Sequence, residues 1–316
     1  MKLSRCVNLT ELRYQGPIFD AHSHVADEQA LDLYVKIANR YNVEQSLLIV
    51  HGSDISAYQK KYPDRFIYAK YFSGWILFSD DFDQTVSEIY TLREDGYGMA
   101  KMHFAPFWGD RLDIDLVPTV DDERFDIFFD TLAKENIPVV IHIGDPDTYF
   151  TQRYSDERVY GTKEDHIQEF ENRLRKSPEV TFQVAHFLAQ PEIHRQENLS
   201  RMLETYPNLN IDTGSARWMV RELGKDVERS RNLIIEYQDR ILFGIDCVAR
   251  TMDESYYDGR FWSERMLFET DVRDAPLPFV DKDTVHLGGT YINGLDLPTT
   301  VLEKIYWQNA HRLHDL

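Results

Sequence analysis

The segment "IFDAHSHV", residues 18–25, places three side chains that can bind a metal at alternate positions: Asp20, His22 and His24. Alternate residues of an extended strand point to the same side, so we expect the three side chains to lie together. Two imidazoles and a carboxylate on one side are a suitable ligand set for a divalent cation.

The motif has a plainer alternative, in which its histidines are packed in the core or lie on the surface. A chain with 11 histidines contains a His-x-His pair by chance roughly 0.4 times. The spacing alone therefore does not distinguish a metal site from ordinary histidines, and the distinction depends on the rest of the chain.

Eight short apolar runs are spread along the chain and predict strands. They are rich in Val, Ile, Leu and Phe with little alternation, which is typical of strands buried on both faces of a parallel sheet. The runs cover residues 18–22, 45–50, 66–72, 98–104, 138–143, 180–187, 209–214 and 240–246.

Amphipathic helical patterns such as "DEQALDLYVKIANRY" and "DDERFDIFFDTLAKEN" lie between these runs. Eight strand–helix alternations predict an α/β fold, a (β/α)8 TIM barrel forming a single domain over residues 1–316. Loop elaborations are expected after strands five and eight, at 144–163 and 248–298, covering the catalytic rim. An open doubly wound sheet is the alternative, but it needs a Gly-rich loop where this chain has "DAHSHVAD".

Histidines recur where the predicted strands end. Active sites of TIM barrels are built at that rim. Asp246 ends the eighth run, where a carboxylate needs a metal, hydrogen-bond donors or a counter-charge. His142 or His186, taken alone, would also suit a core histidine. Six of the 11 histidines lie at or just past a strand end: His22, His24, His51, His103, His142 and His186.

Five motifs, "FDAHSH", "IHIGDP", "VAHF", "LFGIDC" and "NAHRL", together resemble the amidohydrolase superfamily in order and spacing. The resemblance is greatest to its amidohydrolase-2 branch, which includes aminocarboxymuconate semialdehyde decarboxylase and several lactone hydrolases, and it runs from about residue 17 to 314. It implies that one divalent ion is held by four residues and that His186 bonds the metal-bound water or the substrate. The four implied ligands are His22, His24, His142 and Asp246.

Lys101 lies on the fourth predicted strand, in "AKMHF". Some amidohydrolases carry a carboxylated lysine on that strand, where it bridges two ions. The lysine of this branch is more often unmodified, so the resemblance favours ordinary charge pairing or substrate contact for Lys101.

Other rim residues are candidates on weaker grounds. Asp20 suits either a structural hydrogen bond or a contact that orients an imidazole. His103 and His51 are candidate substrate contacts. Arg217 follows the seventh strand, where a guanidinium can clamp a carboxylate, although a salt bridge to a protein acid is the alternative. Arg221, one helical turn later, is expected on the surface.

Three aromatic residues, Trp108, Tyr149 and Tyr154, are candidate walls of the pocket. Ordinary aromatic packing explains them as well.

The chain is acidic, with 54 Asp and Glu against 35 Lys and Arg and a net charge of −19. Nucleic acids and anionic membranes need basic surface, so neither is expected as a partner. Cys6 and Cys247 are the only cysteines, which favours a reducing compartment, with Cys247 as a buried thiol. No apolar run has the length of a membrane span or of a signal-peptide core, so a cytoplasmic location is expected.

The reaction favoured by these residues is hydrolysis of a small, carboxylate-bearing lactone, ester or amide. A zinc ion, or alternatively manganese, lowers the pKa of a bound water toward ~7. Asp246 would accept the water's proton, and His186 would hold the attacking water or the developing oxyanion. Candidate substrate-binding residues are Arg217, His103, Lys101 and Trp108.

Two alternatives stay open. One is non-oxidative decarboxylation of an aromatic or muconate-type acid, with Asp246 protonating carbon. Hydrolysis is favoured over it because no pocket for an aromatic acid is evident in the sequence. The other is an inert barrel that binds a metal or ligand without turnover. A homo-oligomer is compatible with the sequence.

Overall fold

The computed structural model describes residues 8–52, 54–79, 82–114 and 117–314, so Cys6 lies outside the described residues. Most of the strands are short and fully buried, as their Val-, Ile- and Leu-rich runs predict. The main strands are β1 (Ile18–Val25), β2 (Val43–Val50), β3 (Phe66–Phe72), β4 (Met99–His103), β5 (Val139–His142), β6 (Phe182–Val184), β7 (Leu209–Asp212), β8 (Ile241–Leu242) and β9 (Cys247–Ala249).

These nine strands form one parallel sheet in the order β8-β7-β6-β5-β4-β3-β2-β1-β9. The two ends of that order, β8 and β9, belong to one stretch of chain. Backbone hydrogen bonds also join this stretch to β1, from Ala21 N to Phe243 O (2.7 Å) and from Asp246 N to His22 O (2.8 Å). The mixed α/β fold is therefore consistent with a TIM-type barrel, as the sequence predicts.

Helices connect the strands, and a small antiparallel ribbon pairs Ala275–Pro276 with Tyr291–Ile292. None of the helices in the described ranges is long and apolar enough to cross a membrane. The helices cover Glu28–Arg40, Ser56–Lys61, Gly74–Leu77, Phe82–Thr91, Trp108–Leu112, Asp126–Lys134, Asp147–Gln152, Glu157–Tyr160, Lys163–Lys176, Gln196–Thr205, Ala216–Leu223, Val227–Glu236, Glu254–Glu269, Thr299–Glu303, the π-helical Lys304–Gln308, and Asn309–His314.

The interior of the sheet has an apolar layer toward the strand N-termini and a polar layer toward their C-termini. The apolar layer includes Phe19, Met99 and Val140, and the C-terminal helix packs against it through Ala310 and Trp307. Two residues further along β4 and β5 the side chains become Lys101 and His142. Because alternate strand residues share a face, the polar layer lies directly above the apolar one inside the sheet.

Three strands differ from their predicted bounds by three residues or more at one end. β1 extends to Val25, so His22 and His24 lie within the strand. β6 ends at Val184, and the chain then turns through four left-handed residues, from His186 to Ala189, with φ of 53–57°. The eighth run is interrupted before Asp246, which has φ 49°. Hydrophobic pattern does not encode left-handed backbone, so it predicted unbroken strands.

Two segments predicted as loops contain helices. Residues 144–163 include Asp147–Gln152 and Glu157–Tyr160, and residues 248–298 include Glu254–Glu269. The last of these buries most of its residues, polar ones among them, so it lacks the polar face that reveals a helix in sequence. That these segments cover the catalytic rim stays a prediction.

Asp20 joins β1 to two other elements. Its carboxylate accepts hydrogen bonds from Tyr34 Oη (2.7 Å) and from the backbone N–H groups of His22 and Ile245 (3.1 Å each). Burial raises the pKa of Asp20 to about 7. The pairing of β1 with β2 shifts register between Asp20 and Ser23, which breaks the simple alternation of the motif. Asp20 consequently contacts backbone and a helix rather than an imidazole ring.

Replacing Tyr34 with Phe removes the hydroxyl that donates to Asp20 and contacts Ser46 Oγ at 2.8 Å. A buried carboxyl group would then lack one donor, so we expect the free energy of unfolding to fall by about 1–3 kcal/mol. Urea unfolding measures this change. Tyr291→Phe is the matched control, because that side chain is 49% exposed. A Tyr34→Phe protein as stable as the control would refute the role of this hydroxyl.

Candidate active site

Two imidazoles and one carboxylate converge at the C-terminal ends of β1 and β8. The Nε2 atoms of His22 and His24 lie 3.3 Å apart. Asp246 Oδ1 lies 3.6 Å from the first of these nitrogens and 3.5 Å from the second. One ligand atom from each residue lies within 4.8 Å of the others, an arrangement that can hold a metal ion.

His186 and His142 continue this cluster across the barrel. The His186 ring stacks on His22 with 5.3 Å between centroids, and the His142 ring lies 5.1 Å from His186. His142 Nε2 and His186 Nδ1 are buried without a hydrogen-bond partner among the described residues. Unpartnered buried nitrogens are costly, so these two fit a site that is completed by a bound group. His142 as the fourth ligand stays a prediction.

Burial favours the neutral, metal-ligating form of three histidines of the site, His24, His142 and His186. It lowers the pKa of His24 to about 3 and also lowers the pKa values of His142 and His186. Burial alone would raise the pKa of Asp246, but the imidazoles of His22, His24 and His186 lower it below its usual range. Neutral imidazoles and an ionised carboxylate are the forms that a zinc or manganese site requires.

Lys101 extends from β4 into the same polar layer and is 1% exposed. Burial lowers the pKa of Lys101 to about 8, whereas Asp212 and Asp246 act to raise it. The side chain is therefore an ammonium at neutral pH. None of the described carboxylates lies within ion-pair distance of it, so its predicted charge pairing is not with a contacting protein acid.

Aromatic rings line the β3–β5 side of the site. His103 stacks in parallel on His142, with centroids 4.2 Å apart, and accepts a hydrogen bond at Nδ1 from Trp108 Nε1 (3.1 Å). Phe107 lies 5.4 Å from His103. His51, a predicted substrate contact, lies against His24, with 3.2 Å between His51 Nε2 and His24 Nδ1. A contact of His51 with substrate stays a prediction.

Asp212 is a site residue that the sequence reasoning missed. It ends β7 and lies 3.0 Å from His22 Nδ1, so it makes the imidazole contact that was considered for Asp20. The signal was present in "LNIDTG", because a carboxylate at the end of an apolar strand needs partners, as was argued for Asp246.

The two arginines after β7 bind protein acids. Arg221 is 6% exposed and its Nη1 lies 2.8 Å from Asp281, so the prediction of a surface position is wrong. Asp281 and Asp283 pair with its guanidinium from 60 and 62 residues further along the chain, a contact that sequence spacing does not reveal. Arg217 lies 3.5 Å from Asp283 and donates to Tyr149 Oη (3.2 Å).

The two tyrosines that were candidate pocket walls both pack within the protein. Tyr149 packs on Trp218, while Tyr154 is buried and donates to Asp145 (3.0 Å).

The chain was compared with known proteins. A family model described as amidohydrolase, of the amidohydrolase-2 type, matches residues 64–316. This range is most of the chain, so the protein belongs to the amidohydrolase family, and the resemblance seen in the motifs is confirmed. The range includes His142, His186 and Asp246 and begins after the motif on β1. Family membership indicates an enzyme.

Two similar solved structures are both 5-carboxyvanillate decarboxylases. One, from Novosphingobium aromaticivorans DSM 12444, is complexed with manganese and 4-hydroxy-3-methoxy-5-nitrobenzoic acid; it is 12% identical, with a TM-score of 0.51 and 98% of each chain covered. The other, LigW from Sphingomonas paucimobilis, is 12% identical, with a TM-score of 0.52 and 95% of this chain and 99% of that chain covered. At this identity the likeness concerns the fold. None of the curated proteins that were compared matches the chain.

The lowered pKa of His24 predicts metal binding that resists acid. Protons compete for an ordinary histidine ligand below about pH 6.5. Because the pKa of His24 is about 3 and burial also lowers that of His142, protonation of these rings begins at much lower pH. We expect zinc to be retained down to about pH 5. Metal content after desalting at each pH measures this, and half-loss near pH 6.5 would contradict it.

Proposed function

We propose that this protein is a metal-dependent enzyme acting on a small carboxylate-bearing molecule, and that non-oxidative decarboxylation of an aromatic acid suits the site best. The observation that carries the proposal is the buried side chain of Lys101, which lies within ion-pair distance of none of the described carboxylates and interacts electrostatically with His24 and Asp246 of the metal cluster. An unpaired buried cation favours an anionic ligand.

One divalent ion would be held by His22, His24, His142 and Asp246, with zinc and manganese both compatible with three imidazoles and a carboxylate. When bound, the ion supplies a Lewis acid that polarises oxygen atoms of the substrate. The Nε2 of His142 supports this ligand set, because it has no hydrogen bond within the described part of the chain and its contact with Asp145 Oδ1 is 3.6 Å long.

The rings beside the metal cluster suit an aromatic substrate. His103 and His142 present stacked parallel faces, and the indole of Trp108 fixes His103 through its Nδ1. In this arrangement an aromatic acid would lie along the rings with its carboxylate toward Lys101. Arg217 would act at the outer edge of the site, where Tyr149 and Asp283 already hold it.

Decarboxylation breaks the bond between the ring carbon and the carboxyl carbon, releases carbon dioxide and leaves the electron pair on the ring carbon. That carbon must receive one proton. Asp246, whose pKa is held below its usual range by the neighbouring imidazoles and which is therefore ionised, would take a proton from solvent and deliver it to that carbon. His186, whose ring lies between His22 and His142, would hold the substrate in place.

Hydrolysis of a lactone, ester or amide is the second candidate. It is favoured by the position of Asp246, an ionised carboxylate 3.5–3.6 Å from two ring nitrogens, which suits a base that takes a proton from the attacking water. The sequence-based preference for hydrolysis rested on the absence of an evident aromatic pocket. The rings of His103, Phe107 and Trp108 remove that argument.

The two carboxyvanillate decarboxylases support the first candidate through their names and, for one of them, its manganese and substituted benzoic acid. A panel of hydroxybenzoic and muconate-type acids alongside lactones, assayed with zinc or manganese, separates the two reactions. Carbon dioxide release from an acid supports decarboxylation. Turnover of lactones alone would replace it with hydrolysis.

Asp246→Asn tests the proton-transfer role. Asparagine keeps the shape and one oxygen but cannot accept the proton, so we expect partial metal retention with turnover lower by ~10²–10⁴-fold. Metal stoichiometry and kcat on the best panel substrate measure both effects. If the variant binds its ion and turns over within about threefold of the parent, His186 takes over the proposed role.

Lys101→Met tests the anion-binding role. Methionine has a similar length without the charge, so we expect kcat/KM for an acidic substrate to fall about 10–100-fold, the loss of a charge-assisted contact. Metal content should stay unchanged. Lys70→Met, on the neighbouring strand β3, is the matched control, because Lys70 pairs with Glu88 at 2.7 Å. Equal kinetics for the two variants would exclude Lys101 from substrate binding.

A further inference from the structure

We propose that Asp212 is a positioning residue. Its carboxylate fixes which ring nitrogen of His22 carries the proton, and it also fixes the position of His186. This proposal rests on the metal site proposed above. It concerns groups of the chain itself, so it can be tested on the metal-free protein.

The Asp212 carboxylate is fully buried and accepts four hydrogen bonds. Oδ2 accepts from His22 Nδ1 (3.0 Å) and from Gln183 Nε2 (2.8 Å). Oδ1 accepts from the backbone N–H of His186 (3.1 Å) and of Gly214 (2.9 Å). Each oxygen therefore has two donors, which fills the lone pairs of the carboxylate.

The contact with His22 decides which ring nitrogen carries the proton. An ionised carboxylate only accepts hydrogen bonds, so a neutral His22 must carry its hydrogen on Nδ1. Nε2 then keeps its lone pair, and this is the nitrogen that lies beside His24 and Asp246. Histidine ligands of metals commonly donate their other N–H to a carboxylate in this way, which sets the ring orientation.

His22, His186 and Asp212 also lie close enough together to suggest a second cation site. The hydrogen bonds argue against that assignment. The amide of Gln183 and the backbone N–H groups of His186 and Gly214 are donors that cannot coordinate a cation, and they occupy the carboxylate oxygens. Hydrogen bonds from the His22 ring and from the His186 backbone explain why Asp212 lies close to both residues.

The second role of Asp212 concerns the turn that carries His186. Residues 186–189 all have left-handed backbone, a conformation unfavourable for residues with a Cβ atom. The Oδ1 bond to His186 N holds the first residue of this turn. Gly214 marks how tightly the groups converge, because a Cβ there would lie 2.8 Å from Asp212 Oδ1, 2.9 Å from His22 Nδ1 and 3.0 Å from His186 Nδ1.

Gln183 holds Asp212 from the opposite side. Its Nε2 donates to Asp212 and also to the carbonyl of Ala21 (2.8 Å), the residue before His22. The amide thus connects β6 and β7 to β1 through the interior of the sheet. His22 is fixed at its backbone neighbour and at its ring by the same pair of side chains.

Asp212→Asn provides the test. With its oxygen facing the backbone donors, asparagine presents an N–H to His22, which favours the proton on Nε2 and blocks that lone pair. We expect the zinc dissociation constant, measured by chelator competition, to rise about 10–100-fold. In the metal-free variant, ¹⁵N NMR of the His22 ring should show the proton moved from Nδ1 to Nε2.

Asp258→Asn is the matched control. Asp258 is buried too and accepts from Arg40 (2.8 Å) and Tyr41 (3.0 Å), away from the histidines. The Asp258→Asn substitution should leave the zinc dissociation constant within about twofold of that of the parent protein. An Asp212→Asn protein with parental zinc affinity and the proton still on Nδ1 would overturn the proposal.

The outcomes separate this inference from the proposed function. If the parent protein binds no divalent ion, the proposed function fails. If the parent binds the ion and Asp212→Asn binds it equally well, the positioning role alone fails. Should the variant not fold, NMR of the metal-free parent decides, because a His22 proton found on Nε2 would overturn the proposal without any substitution.

Discussion

The site depends on one constraint: polar groups that enter the interior of the barrel must satisfy one another, because water reaches them little. His22 is 1% exposed and Asp212 is fully buried. A buried polar group without a partner costs about 1–3 kcal/mol, and a buried charge costs more. The interior is therefore organised around a few acceptors, above all Asp212, to which an imidazole, an amide and two backbone N–H groups all donate. Two of the groups left without a hydrogen bond among the described residues, His142 Nε2 and His186 Nδ1, lie beside the place where the ion would bind.

The charged groups of the site differ in their balance from the acidic chain as a whole. The protein carries a net charge of −19. Within the site, Lys101 interacts electrostatically with Asp212 and Asp246, whose pKa values lie below the usual range, while burial favours the neutral forms of His24, His142 and His186. Addition of a divalent cation would give Lys101, Asp212, Asp246 and the ion together a positive net charge. A positive interior in an acidic protein favours an anionic substrate at the site, while the acidic surface disfavours polyanions elsewhere.

The backbone also contributes to the geometry. His186 and Asp246 have positive φ although neither is glycine, and each lies within four residues of the end of a buried strand. Such conformations persist when the surroundings determine them, and here hydrogen bonds from neighbouring strands do so. Asp246 N donates to His22 O, which couples one proposed ligand to another through the main chain. The sheet therefore sets both the direction and the separation of the ligand side chains.

Much of the site was accessible from sequence, because local pattern carries it. Apolar runs placed seven strands close to their observed positions, and the ends of the eight runs predicted a common rim for His22, His24, His142, His186 and Asp246. A parallel barrel brings its strand ends together whatever the loops do, so residue type at a strand end is informative. The helix Glu28–Arg40 was predictable for the same reason, since its buried stripe has a helical period.

The tertiary structure decided what depends on contacts between distant residues. Asp212 reaches His22 across 190 residues of sequence, and Arg221 is buried by acids 60 and 62 residues further along. A register shift in β1 turned Asp20 to the backbone and to Tyr34, although its spacing placed it with the histidines. No local period encodes such choices, because they follow from which strands are neighbours and from how their registers align. Residue types at the strand ends, together with the family resemblance of the motifs, thus supplied the candidate ligands, while packing decided which carboxylate contacts His22.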